Sequence, residues 1–283
     1  MRNKCIALVA AVLLAGTASL AQQKPAAPKS LRLYIFDCGV IKGLGVDLFG
    51  FKPGEVPARD FFVPCYLIVH PKGTMMWDVG VIPDTAFKAD GAPVTQGAST
   101  VSKPLLPQLA ALGYTPADID YLALSHYHSD HTANANAFAG STWLVRLNER
   151  DMMFGQPPPG TIIQQATFSA LKTAKTKIID VDEYDVFGDG TVVIKSAPGH
   201  TPGHQVLLLK LRKFGPLLLA GDLYHFPEER TMNRVPGFDV NKEQTLASRA
   251  DVDAFVKKNK AQMWIEHDAA TNAKLKKAPE FYE

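Results

Sequence analysis

Apolar residues along this chain gather in short runs set apart by polar, glycine- and proline-rich stretches. Most of these runs are rich in β-branched and aromatic side chains, the composition of strands. They fall at 31–36 (LRLYIF), 63–69 (VPCYLIV), 74–79 (TMMWDV), 121–125 (YLALS), 142–147 (TWLVRL), 177–181, 191–196 (TVVIKS), 205–211 (QVLLLKL), 217–220 (LLLA) and 263–265 (MWI). The turn His70-Pro71-Lys72-Gly73 joins the second and third as a hairpin, which places His70 at a solvated surface. Helical spacing appears instead at 104–112 (PLLPQLAAL) and at 241–258, where Leu246, Ala250, Ala254, Phe255 and Val256 recur on one side. Strands interleaved with helices in two similar halves predict a layered α/β domain, helices covering a pair of sheets. No short-period repeat or domain boundary interrupts it, so residues 31–283 are expected to form one domain.

The first 21 residues follow different rules. Arg2 and Lys4 precede a short apolar run, Ile6 to Leu14, and Ser19-Leu20-Ala21 supplies small residues before Gln22. This is the pattern of a secretory signal peptide, too short to span a bilayer, for which about 20 residues are needed. Export to a periplasm or the outside is expected, with no stable membrane span after processing; a retained N-terminal anchor is the alternative. Residues 22–30 (QQKPAAPKS) read as a flexible linker.

Charge removes one class of partner. The chain carries 30 Lys plus Arg against 28 Asp plus Glu, and Arg2 and Lys4 account for the whole excess. A neutral mature chain lacks the basic footprint of a nucleic-acid binder. Beyond Cys5 only Cys38 and Cys65 remain, too few for a disulfide scaffold. Two buried free thiols are expected slightly ahead of one Cys38–Cys65 bridge.

Chemistry concentrates in Ser125-His126-Tyr127-His128-Ser129-Asp130-His131, which holds three of the chain's 8 histidines. The stretch follows an apolar strand, where α/β sheets place their sites. Imidazole and carboxylate are the ligands zinc and its neighbours prefer. Residues two apart on an extended loop share a side, so His126 and His128 can hold one ion while Asp130 and His131 point to a second. Three more stretches share this character: Pro198-Gly199-His200-Thr201-Pro202-Gly203-His204, Ala220-Gly221-Asp222, and Glu266-His267-Asp268, each after an apolar run.

In this order the four elements resemble the metallo-β-lactamase superfamily, whose pattern is H-x-H-x-D-H, a Gly-His loop, a bridging Asp and a final His. The resemblance covers residues 31–270 and implies an αββα sandwich with two divalent metal ions at one edge of the sheets. It assigns His126, His128 and His200 to one ion, Asp130, His131 and His267 to the other, and Asp222 between them. His204 matches no ligand and is expected to support the loop. Zinc is the default ion, and a nitrogen and oxygen ligand set also accepts iron, cobalt or manganese.

Within the superfamily, LRLYIFDCG, HSDHTANANAF and DLYHFPEER followed by VPGFD look like the N-acyl homoserine lactone lactonases, which open the lactone ring of quorum-sensing signals. Phosphotriesterases, β-lactamases and glutathione thioesterases share the site and are the alternative hydrolases. A metal-binding module or di-iron redox protein is the alternative outside hydrolysis. The lactonases carry a tyrosine three residues after the bridging Asp, contacting the substrate carbonyl. Here His225 stands there and Tyr224 precedes it, so either could polarise the carbonyl, with His225 favoured. The resemblance implies attack by a metal-bridging hydroxide, with Asp130 passing the proton to the leaving alkoxide. Residues 45–51, with Phe61 and Phe62, could line an acyl-chain pocket, although core or homodimer packing is the expectation weighted ahead of it. Met152-Met153-Phe154 reads as core or interface.

Overall fold

The run Phe61–His70 is apolar at nearly every position because its strand is covered on both faces. A computed structural model describes residues 24–157, 161 and 163–283; the expected signal segment, 1–21, lies outside them. Side chains alternate across a strand, so Tyr66 and Ile68 enter the space between two sheets while Cys65, Leu67 and Val69 face the opposite way. The first sheet has eight strands: β1 (Arg32–Ile41), β2 (Phe61–His70), β3 (Gly73–Trp77), β4 (Val94–Gln96), β5 (Ser99–Val101), β6 (Tyr121–Ala123), β7 (Thr142–Val145) and β8 (Thr176–Ile178). Their order is β4-β5-β1-β2-β3-β6-β7-β8, antiparallel through β3 and parallel from β3 to β8.

The second sheet holds β9 (Glu183–Asp185), β10 (Val192–Ser196), β11 (Gln205–Leu211), β12 (Gly215–Leu219) and β13 (Gln262–Trp264), ordered β13-β12-β11-β10-β9. Leu207 and Leu209 meet Ile35, Ile68 and Trp77 of the first sheet in the central core. On the outer face Val206 and Leu208 pack with Val252 and Phe255 of a long helix, Lys242–Asn259. The first sheet's outer face is covered by Leu105 and Leu109 of α1 (Leu105–Ala111), with Phe138 and Phe168. Each fully buried side chain of this size contributes roughly 1.5–3 kcal/mol. These layers form the α/β sandwich the sequence predicts, two mixed sheets flanked by helices.

Three short strands, β4, β5 and β9, escaped the pattern because each is three residues long and largely polar. So did α3 (Leu147–Phe154), which follows β7 directly; its Met153 is buried in the first sheet's outer core.

Two expectations are corrected. Cys38 and Cys65 are joined in a disulfide, their Cα atoms 5.9 Å apart. The pairing of β1 with β2 is irregular between Asp37 and Val40, and such a bulge re-aims side chains; spacing along the chain does not reveal it. His70 is buried rather than solvated. The turn between β9 and β10 folds over its hairpin, stacking Phe187 on the imidazole at 4.2 Å and placing Asp189 2.9 Å from Nε2. Burial lowers the pKa of His70, against the pull of Asp189.

Candidate metal centre

Strands β6, β10, β12 and β13 deliver their C-terminal ends to one edge of the sandwich. After β6 the chain presents His126 and His128, then turns into α2 (Ser129–Thr132), which carries Asp130 and His131. After β10 comes the loop 197–204. Gly199 there has φ +137, and a β-carbon at this position would collide with the backbone of Thr245, so only glycine brings the loop close enough to aim His200 inward. A tight turn after β12 places Asp222, and the segment after β13 places His267.

Two groups result. Ligand atoms of His126, His128, His200 and Asp222 lie within 4.8 Å of one another, and so do those of Asp130, His131, Asp222 and His267. Asp222 is shared. His200 Nε2 lies 3.2 Å from His126 Nε2 and 3.0 Å from His128 Nδ1, three imidazole nitrogens converging on one point. Asp222 Oδ1 is 3.2 Å from His131 Nε2 and 3.0 Å from His267 Nε2. These three atoms are buried without hydrogen-bond partners. Native proteins rarely leave such atoms unpaired, and divalent cations fit the need: the donors are imidazole and carboxylate, with no thiolate.

The remaining ring nitrogens are held from behind, which fixes each ring's orientation and the nitrogen it offers. His131 Nδ1 pairs with Asp78 Oδ2 at 2.9 Å, His200 Nδ1 with Asp239 Oδ1 at 2.8 Å, and His267 Nδ1 with the Phe62 carbonyl at 2.9 Å. His126 Nδ1 lies 3.0 Å from Ser125 Oγ. His204 supports the turn instead of facing the ligand cluster: its Nε2 accepts the Asp222 N–H at 3.0 Å and its Nδ1 lies 3.0 Å from the Ala197 carbonyl.

Electrostatics divide the histidines. Burial and the neighbouring His200 push His128 and His204 down to about 3; burial and His131 hold His126 well below its ordinary range. Burial also opposes charge on His131 and His200, but carboxylates outweigh it and raise both. For Asp222 burial is likewise overcome, here by His131, His267, His225 and His126, which hold it well down. Divalent ions would therefore displace protons from the raised histidines.

Tyr224 and His225 point in opposite directions because Tyr224 is extended and successive side chains then alternate. His225 lines the cavity above the ligands, Nε2 3.1 Å from Asp222 Oδ2. Tyr224 packs outward with Leu223 and Val252, beneath the Arg249 guanidinium at 4.3 Å, so it does not reach a substrate. Burial depresses His225, yet Asp222 and Glu229 lift it to about 10. The cavity, about 730 Å³, is lined by Asp130, His128, His225 and His267 and by apolar Leu44, Leu48, Phe49, Phe61, Phe238 and Val240. Phe49 and Phe61 thus line a pocket as well as a core, whereas Phe51 is buried behind them and Phe62 lies under Lys277.

Four supporting carboxylates escaped sequence reading: Asp78, Glu149, Glu229 and Asp239. Glu149 is buried in α3 and accepts from the Tyr127 N–H, the Thr201 hydroxyl and the Gly203 N–H, tying two ligand loops together. Only Asp78, a carboxylate at the end of the 74–79 run, had the signal that exposed Asp222.

A histidine and aspartate site of this kind, at the strand-end edge of a two-sheet sandwich, defines a metal-dependent hydrolase. The sequence profile of the metallo-β-lactamase superfamily matches residues 58–257, and the chain belongs to that superfamily. The N-acyl homoserine lactonase AttM of Rhizobium radiobacter is 32% identical over 262 residues, covering 89% of this chain and 98% of the relative. N-acyl homoserine lactonase AiiA of Bacillus thuringiensis subsp. kurstaki is 27% identical over 227 residues, covering 77% and 85%. The solved structure of an N-acyl homoserine lactone hydrolase, with its product N-hexanoyl-L-homoserine at the catalytic metal centre, matches at TM-score 0.72 and 25% identity. That match covers 88% of this chain and 98% of the other.

Proposed function

We propose that this protein opens the lactone ring of N-acyl homoserine lactones. The observation that carries the reading is the cavity: an apolar wall faces a floor built from the two ligand groups. A lactone head can sit on the polar floor while its acyl chain lies along Leu48, Phe49, Phe61 and Phe238. The AttM and AiiA relatives, named as lactonases, support the same substrate class.

His126, His128 and His200 would hold one divalent ion, Asp130, His131 and His267 a second, with Asp222 between them. Zinc suits this donor set. When bound, such ions supply Lewis acidity and a nucleophile at neutral pH. His225 faces the cavity through Nε2 and stabilises negative charge growing on the carbonyl oxygen. Asp130, on the cavity wall, holds the proton from the attacking water and returns it to the ring oxygen as the acyl C–O bond breaks. The apolar wall excludes water from the chain side. The product is an N-acyl homoserine whose new carboxyl group releases a proton near neutral pH.

Export of the mature chain fits the disulfide, since such bonds persist in oxidising compartments, and the Cα separation of 5.9 Å suits one. A quorum-quenching role outside the cytoplasm follows. Among the described residues no helix is long and apolar enough to cross a membrane. A substrate panel tests the reading: ring opening of acyl homoserine lactones should exceed hydrolysis of paraoxon, nitrocefin and a glutathione thioester. Preference for any of the latter three would reassign the substrate while leaving the site intact.

A further inference from the structure

His225 is held from behind as well as from the cavity side. Its Nδ1 lies 3.3 Å from Oε1 of Glu229, four residues on in α4 (Pro227–Met232). Neither atom has a hydrogen-bond partner elsewhere among the described residues, and both side chains are buried. Leaving such atoms unpaired costs roughly 1–3 kcal/mol each, and a small rotation of the imidazole lets them satisfy one another. The other oxygen of Glu229 is fixed, accepting from Arg249 Nη2 at 2.7 Å. Arg249 lies in α5 (Lys242–Asn259) and is itself anchored on backbone: Nε donates to the Leu223 carbonyl at 2.9 Å and Nη1 to that of Arg234. A line of charge therefore runs from α5 through Glu229 to His225 and ends at Nε2 on the cavity.

Ring contacts alone cannot set the nitrogen that faces the cavity. Phe49 lies 4.9 Å from the His225 ring, Phe238 5.7 Å, Phe61 6.0 Å, and the His200 and His267 rings 5.2 and 5.9 Å. These walls restrict the plane of the ring, but only a polar partner distinguishes its two nitrogens. Glu229 is that partner on one side, and Asp222 is the group beside the other.

We propose that Glu229, seated by Arg249, is a positioning residue that presents His225 Nε2 to the carbonyl of the substrate. The proposal rests on the lactonase reading for the identity of that carbonyl, whereas the contact with His225 stands apart from any substrate. Each ring nitrogen faces a carboxylate oxygen, Nδ1 that of Glu229 and Nε2 that of Asp222, so both carry protons. Nδ1–H is directed to Glu229, and Nε2–H is the donor open to the carbonyl oxygen. The carboxylate behind the ring then favours the positive character that such a donor develops. No bond to Glu229 is made or broken.

A double-mutant cycle and a direct observation of the ring test this. Glu229→Gln should lower kcat on an acyl homoserine lactone about 10- to 100-fold with KM changed less than about threefold, and His225→Phe should lower kcat at least as far. If Glu229 acts through His225, combining the two should cost no more than His225→Phe alone; losses that multiply would overturn the proposal. Glu229→Gln also leaves Arg249 short of a partner and could unfold, so the ring is examined in the unaltered, zinc-loaded protein. In ¹⁵N-histidine-labelled protein, with the His225 signals assigned by their loss in His225→Phe, both nitrogens should carry protons, the one on Nδ1 hydrogen-bonded. An unprotonated Nδ1 would overturn the proposal whatever the turnover. A wild-type protein inert to lactones would sink the substrate assignment alone, and the NMR result would still decide the role of Glu229.

Discussion

Asp78→Asn isolates the contribution of one carboxylate to the metal centre. Asp78 is fully buried with φ +53, a conformation asparagine tolerates better than most residues, so the backbone should keep its path. Oδ1 accepts the Ser125 N–H at 2.7 Å while Oδ2 pairs with His131 Nδ1 at 2.9 Å. An amide can serve only one of these donors. If its oxygen stays on Ser125, its NH₂ faces His131 and forces the proton onto Nε2, the nitrogen offered to the ligand group. If it flips, the buried Ser125 N–H loses its acceptor. Either arrangement costs one buried hydrogen bond to a charged group, about 1.5–3 kcal/mol, which is roughly 10- to 100-fold in affinity. The assay is zinc titration of the metal-free protein against a chromophoric chelator. Affinity at the position built from Asp130, His131, Asp222 and His267 should fall by that factor, while the position of His126, His128 and His200 changes less than about threefold. Equal losses at both positions, or none, would refute the assignment of Asp78 to His131.

Glu149 should make stability fall with pH. Its folded pKa is raised from 4.5 to about 7, chiefly by burial, so the folded chain binds more protons than the unfolded one across that window. The contribution is fully present below pH 4.5 and lost as pH rises through 7, about 3 kcal/mol in all. Urea unfolding of metal-free protein at pH 4.5 and 8 should show that loss in the wild type and not in Glu149→Gln; parallel pH dependences would contradict it. Leu48 is 47% exposed at the cavity rim, so Leu48→Lys should leave thermal stability nearly unchanged. By denying about two methylenes their apolar contact, it should raise KM roughly tenfold for long-chain lactones and little for short ones. Gly199→Ala should cost metal affinity and stability together, because the His200 loop must back away from Thr245; an unchanged metal titration would show that the loop has room.

The contrast between these residues explains what the sequence could and could not convey. His126, His128, Asp130 and His131 fit in one six-residue window, and His200, Asp222 and His267 each follow an apolar strand, so local pattern marks all seven as candidates and the superfamily resemblance groups them. The structure draws those seven to one edge. Asp78, Asp239 and Glu229 are single carboxylates whose meaning depends on which ring they meet, 53, 39 or four residues away. Glu149 is harder still, since its surroundings (LNERD) are charged and show no apolar period, although it is buried. The long strands were legible because both faces are apolar. The short strands β4, β5 and β9 were not, since three largely polar residues form no apolar run. His70 misled because the turn that buries it comes from beyond residue 185. Tyr224 and His225 could be separated only by the backbone angle at 224, which decides which of the two faces the cavity.

The most direct measurement is proton release by the purified protein, loaded with zinc and given a long-chain N-acyl homoserine lactone, with and without a chelator. One proton should be released per lactone opened, and preincubation with the chelator should abolish the release. Absence of acid from the fully loaded protein, or release that survives complete removal of the metal, would contradict the account.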